Sequence, residues 1–160
     1  MRALKGVAAA LLVAVATACG GPASSGGSPP PSSTPPPGAA SPGSALSFPM
    51  QGVGDPRVSG TVEVVPGAGG FVLTIRLHGL APGSNHIAHI HRGSCAQNGP
   101  IDIALSPVIG DASGGATSVT SIAKPYSMPS EGWYANVHMG PDLTTPANAA
   151  SLACGDLKAS

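Results

Sequence analysis

Between Val58 and Leu77 the apolar residues fall on every second position. Val58, Gly60, Val62 and Val64 alternate with Ser59, Thr61 and Glu63, and Phe71, Leu73, Ile75 and Leu77 with Val72, Thr74 and Arg76. Successive side chains of a strand point to opposite faces, so this pattern buries one face of a sheet, whereas a helix would scatter it around its circumference. The two runs are separated by Pro66-Gly67-Ala68-Gly69-Gly70, a turn signal. Shorter runs of the same kind follow at His86–His91, Ile101–Leu105, Thr117–Ile122, Trp133–His138 and Leu152–Leu157, with turn residues at Ala81–Asn85 and Asp111–Gly115. No window carries a 3.6-residue period, and 23 Gly with 18 Pro work against helices. The expectation is an all-β domain over residues 46–160, an antiparallel barrel or sandwich of seven to eight strands. The eighth would be Ser47–Gln51, where Pro49 predicts an edge position.

The residues before 46 differ in character. Met1–Ala18 reads as a signal peptide: Arg2 and Lys5 precede the apolar run Val7–Ala18, which is shorter than the roughly 20 residues needed to span a bilayer. The run ends Ala16-Thr17-Ala18-Cys19, which resembles a bacterial lipobox and makes Cys19 the expected lipidation site. Residues 20–45 carry no charge and include Pro29-Pro30-Pro31 and Pro35-Pro36-Pro37. Such a segment buries too little apolar surface to offset its ordering entropy, and as a polyproline-rich spacer it reaches up to about 80 Å. The expected mature protein is therefore a domain tethered through lipid on Cys19 to the extracytoplasmic face of the cell membrane. With 7 basic and 7 acidic residues and five aromatics, it has neither the charge nor the stacking surface of a nucleic-acid binder.

Three features of the domain bear on chemistry. In His86-Ile87-Ala88-His89-Ile90-His91, His89 and His91 are two apart and face the same side of a strand, whereas His86 faces elsewhere or precedes it. His138 ends the run Trp133–His138. Cys95 and Cys154 remain once Cys19 is lipidated, and in an exported chain they are expected to pair. A His-x-His pair alone is a weak signal, because many such pairs are surface or hydrogen-bonded histidines. Copper suits imidazole ligands. Of Trp133 and Tyr134, adjacent in a strand, one is expected in the core. Lys124–Glu131, with two prolines, is expected to be a loop.

Gly79-Leu80-Ala81-Pro82-Gly83, His86-x-x-His89-x-His91, Gly93-x-Cys95, Asn98-Gly99-Pro100, Gly110-Asp111, Val137-His138 and Leu152-Ala153-Cys154-Gly155 occur in the order seen in copper/zinc superoxide dismutases, which the chain resembles over most of Val58–Leu157. The resemblance implies a Greek-key barrel and a Cys95–Cys154 disulfide. It places His89, His91 and His138 on copper-ligand positions and His86 on the position that buttresses those ligands. It also exposes departures. Ile101 stands where the family has the histidine bridging copper and zinc, Val108 where it has a zinc ligand, and Ser151 where it has the active-site arginine. Only Asp102 and Asp111 could serve zinc, too few for a site, so no zinc is expected. Without the bridging imidazole and the arginine, the resemblance implies weak or no dismutation of superoxide, and no catalytic residue is assigned. His-Ile-His-x-Gly with Asn-Gly-Pro-Ile and Tyr-x-Asn-Val-His also resembles CHRD domains, which implies a non-catalytic envelope module with protein partners and a relic metal site. An active copper-only dismutase is the third reading.

Overall fold

The computed structural model describes residues 43–159. The expected signal peptide, Cys19 and nearly all of the spacer lie outside the described residues.

The strands are β1 (Leu46–Gly52), β2 (Ser59–Gly67), β3 (Gly70–His78), β4 (Asn85–His86), β5 (Ala88–Arg92), β6 (Ile101–Ala104), β7 (Val108–Ile109), β8 (Ala116–Ile122), β9 (Trp133–His138) and β10 (Ser151–Leu157), with one helical turn, α1 (Pro146–Ala149). Eight of them form one antiparallel sheet in the order β6-β5-β9-β10-β1-β2-β3-β8, and β4 pairs with β7. The alternation at 58–77 produces the β2–β3 hairpin, whose register runs from Ser59 opposite His78 to Gly67 opposite Gly70. The sheet curls so that its two edges meet at Ser106. The Ser106 N–H donates to Thr120 Oγ1 at 2.8 Å, its hydroxyl to the Val119 carbonyl at 2.9 Å, and its carbonyl accepts from Ser118 at 3.0 Å. This is the expected β-barrel, with Met50, Val62, Val64, Leu73, Ile75, Ile90, Val108 and Val137 fully buried inside. Each such side chain contributes about 1.5–3 kcal/mol relative to exposure.

Three local expectations change, and the one for Trp133 and Tyr134 holds. β1 is an interior strand rather than an edge, but its ladder to β10 registers only Gln51 and Gly52, whereas Pro49 is paired with β2. The proline therefore sits where one side of the strand makes no ladder, a local edge within the sheet. The run His86–His91 is two strands: Ile87 leaves the ladder, its N–H donating to the Gly140 carbonyl and its carbonyl accepting from the His138 N–H. Trp133 and Tyr134 are both buried, at 3% and 2% exposure. As expected, one of the pair, Trp133, faces the apolar core, whereas Tyr134 is buried on the opposite face of β9. Finally, β7 and α1 have no counterpart in the sequence periodicity. The turn α1 is set by the Thr145 hydroxyl accepting the Asn148 N–H and by Pro146 at its first position.

Candidate metal centre

β5 and β9 are antiparallel neighbours, with His89 opposite Asn136 and His91 opposite Tyr134. His89 and His91 share a face by their two-residue spacing, as do Tyr134, Asn136 and His138 on β9. The three imidazoles thereby converge, with ring centroids 5.8 Å (His89 to His91), 5.3 Å (His89 to His138) and 5.6 Å (His91 to His138) apart. One nitrogen from each lies within 4.8 Å of the others.

Hydrogen bonds behind the rings decide which nitrogens face inward. His91 Nδ1–H donates to the Gly99 carbonyl at 2.9 Å and His138 Nδ1–H to the Ala149 carbonyl at 2.8 Å, leaving Nε2 of each as the lone-pair atom. His91 Nε2 and His89 Nδ1 are buried and have no hydrogen-bond partner. Buried polar atoms are rarely left unpaired, so two orphaned imidazole nitrogens converging beside a third are a donor set fitted to a metal ion. Burial pushes His89 down to about 4, and the neighbouring His138 and His91 add to the effect. His91 is lowered chiefly by burial, against the opposing bond to Gly99. Both are thus neutral near pH 7, the form that ligates.

Main-chain clamps hold the cluster. His86 points away from it, as its odd spacing implies. Its Nδ1–H is shared between the carbonyls of His138 and Met139, both at 3.0 Å, and its Nε2 accepts from the Ser84 hydroxyl at 2.8 Å. It fixes the backbone that carries His138. The disulfide Cys95–Cys154, with Cα atoms 5.9 Å apart, ties the loop holding Gly99 to β10. In that loop a Cβ on Gly99 would run into the Arg92 carbonyl, so only glycine lets the loop lie this close to β5.

The departing positions fall in three different places. Ile101, 46% exposed, opens β6 opposite His91. Val108 is fully buried, opposite His86. Ser151 starts β10 opposite His138, and its hydroxyl donates to Asn136 Oδ1. Gly110-Asp111, which the resemblance places in a zinc loop, instead opens the tight β7–β8 turn. There Asp111 Oδ1 accepts from the Ser113 and Gly115 N–H groups and the Ser113 hydroxyl. Asp102 accepts the Trp133 indole N–H at 2.7 Å and lies 3.6 Å from both Arg92 and Lys124. Neither carboxylate joins the histidines.

Three functional groups escaped the sequence reading. Tyr134 stacks on His91 with centroids 5.0 Å apart, and its hydroxyl accepts the Gly99 N–H at 3.1 Å. Asn136 reaches His138 Nε2 with its Nδ2 at 3.4 Å. The helical turn delivers the Ala149 carbonyl. The period-two series Tyr134-x-Asn136-x-His138 was the available signal for the first two. The cleft beside His91 and His138, about 500 Å³, is lined by residues such as Val53, Asn98, Ala150 and Ser151, with no Lys, Arg, Asp or Glu among the described lining residues.

No protein-family model matches the sequence, neither a dismutase nor a CHRD model, and no curated protein matches it. Solved structures do. A SOD-like protein from Bacillus subtilis matches with a TM-score of 0.57 at 18% identity, over 70% of this chain and 97% of that one. A double mutant of a SOD-like protein from the same organism gives 0.56 at 18% identity, over 74% and 99%. The Cu/Zn superoxide dismutase from Brucella abortus gives 0.52 at 20% identity, over 72% and 100%. On these likenesses the chain has the fold of the superoxide dismutase-like proteins.

Proposed function

We propose that this chain holds one copper ion through His89, His91 and His138, at the extracytoplasmic face of a membrane to which Cys19 tethers it, with weak or no dismutase activity. The observation that carries the copper reading is the pair of buried nitrogens, His89 Nδ1 and His91 Nε2, left without a protein partner beside His138. Imidazole is a ligand copper favours, and the Brucella neighbour is by name a Cu/Zn enzyme. Bound copper would supply a one-electron redox centre with an open coordination position. The protein's part is to aim the imidazoles, through the carbonyls of Gly99 and Ala149 and the His86 clamp, while burial keeps His89 and His91 neutral. The lack of Lys and Arg among the described lining residues supports weak dismutation, since no side-chain positive charge there draws an anion such as superoxide inward. The tether rests on the sequence: among the described residues no helix is long and apolar enough to cross a membrane.

The test is a metal count. The full chain, purified in mild detergent with its disulfide formed, is loaded with excess copper and desalted. We expect about one copper per chain and no zinc, and loss of that copper in His89→Ala and His138→Ala. A superoxide assay on the loaded protein should then show little copper-dependent turnover. If the wild type retains no copper, the metal reading fails and a non-catalytic envelope module remains.

A further inference from the structure

The three imidazoles are not held alike. His91 is fixed twice, by the bond from its Nδ1–H to the Gly99 carbonyl at 2.9 Å and by the Tyr134 ring stacked on it at 5.0 Å. His138 is buried and fixed by the Ala149 carbonyl at 2.8 Å. His89 has neither kind of hold. Its Nδ1 is buried and belongs to the cluster. Its other nitrogen, Nε2, makes no hydrogen bond to the described residues, and on a ring only half-buried it reaches solvent. Its aromatic neighbours are the other two imidazoles, which it meets edge-on. The cause is local. His89 stands in the sheet between Asn136 on β9 and Ala104 on β6. Ala104 has no acceptor in its side chain, and the Asn136 carboxamide is turned to His138 and Ser151. A hydrogen bond from the rear nitrogen fixes a ring's rotation and raises the basicity of the ligating nitrogen. A ring without one gives up more freedom on binding a metal and holds it less tightly.

We propose that His89 is the releasable ligand of the cluster, and that through it the chain hands copper(I) to a partner protein presenting methionine thioethers. The inference rests on the copper reading above. In the handover a thioether sulfur forms a bond to copper as the bond from His89 Nδ1 breaks. The ion stays copper(I) throughout, and His89 leaves neutral with its proton on Nε2, so no electron or proton changes hands. His91 and His138, held by their carbonyls, keep the ion until further sulfurs replace them. The cleft points to the chemistry of the acceptor. Its described lining holds no Lys, Arg, Asp or Glu, and Val53, Ala149 and Ala150 stand in it beside His91 and His138. A charged donor entering there would lose hydration and find no counter-charge, whereas a neutral one pays little. Thioether is the neutral side-chain donor that selects copper(I). His89 is not part of that lining, so its release leaves the cleft wall intact.

The experiment uses the full chain in mild detergent, labelled with nitrogen-15 in its histidines and loaded with copper(I) in the absence of oxygen. Copper(I) has a closed shell, so the ring nitrogens stay visible by nuclear magnetic resonance. The metal is counted first, and a short uncharged peptide with two methionines is then titrated in. Of the five histidines, His78 and His86 serve as unshifted references. The copper-induced shift of His89 Nδ1 should vanish at a peptide concentration at least about tenfold below that which removes the shifts of His91 and His138 Nε2. Tenfold is the worth of one clamping hydrogen bond. Release of His91 or His138 first, release of all three together, or a peptide that moves none of them overturns the inference while leaving the copper site standing. A chain that retains no copper(I) overturns the copper reading and this inference with it, and is recognised before any peptide is added.

Discussion

Tyr134 touches His91 twice, directly by stacking at 5.0 Å and indirectly through Gly99. Its hydroxyl accepts the Gly99 N–H, and the carbonyl of the same residue accepts the His91 Nδ1–H. The two contacts separate on mutation. Tyr134→Phe keeps the stack and leaves the half-buried Gly99 N–H without its acceptor, which should lower stability by about 1–2 kcal/mol. The loosened Gly99 carbonyl should also weaken copper retention, by about tenfold or less, because the ring packing still limits His91. Urea unfolding and a copper competition titration read the two effects; an unchanged unfolding midpoint would show that the hydroxyl is not holding the loop. At this scale the sequence disclosed the candidate ligands better than their supports. His89, His91 and His138 stand out because histidine is uncommon and the spacing is two. The groups that aim them are main-chain carbonyls of Gly99, His138, Met139 and Ala149, which have no residue type to recognise. Asn136 and Tyr134 stand in the Tyr-x-Asn-Val-His motif, but a place beside the histidines was readable only by extending the same period backward from His138.

At the scale of elements, the long strands followed from alternation because each must bury one face, and β2, β3 and β9 lie where the pattern places them. The pieces that did not follow are those fixed by contact rather than by pattern. β7 exists because Val108 pairs with His86, and α1 because Thr145 and Pro146 start a turn that the Ala149 carbonyl completes against His138. The segment between β8 and β9 was readable as a loop but not as a packed one. Tyr126 lies edge-on to Phe71 at 5.3 Å, and its hydroxyl donates to the Lys158 carbonyl at 2.7 Å. Burial pushes its phenol from 10.0 up to about 12. An unfolded Tyr126 loses its proton near pH 10, whereas the folded one holds it to about pH 12, so the folded state binds more protons in that window. The stabilising contribution is therefore complete below pH 10 and drains away as pH rises toward 12. Urea midpoints measured across this window should fall more steeply for wild type than for Tyr126→Phe. Parallel slopes would mean that the phenol ionises as freely in the fold as out of it.

For the whole molecule the question is what holds two ends of the barrel in register at the cleft. β1 and β10 share a ladder at only Gln51 and Gly52, so the sheet is weakly sewn beside the histidines. The Cys95–Cys154 bond crosses this region, joining residues 59 apart and enclosing β6 to β9. In the chain-entropy model a loop of that length is worth about 4 kcal/mol, a large share of the roughly 5–15 kcal/mol that separates a folded domain from its unfolded chain. The noncovalent ties of the same loop are few. The Cys95 N–H donates to Asp156 at 2.7 Å, and Gly99 is held by Tyr134 and His91. Replacing both cysteines, Cys95→Ser with Cys154→Ser, should thus lower the urea midpoint strongly. It should also loosen copper, since the loop that moves carries the carbonyl aiming His91. The two effects have different origins, one in the unfolded chain and one in the folded site, so they need not scale together. A double variant that unfolds at the wild-type midpoint would refute the entropic argument. One that unfolds early yet keeps copper as tightly as wild type would show that Tyr134 and Asp156 suffice to fix the loop, and would move the burden of aiming His91 from the disulfide to the stack.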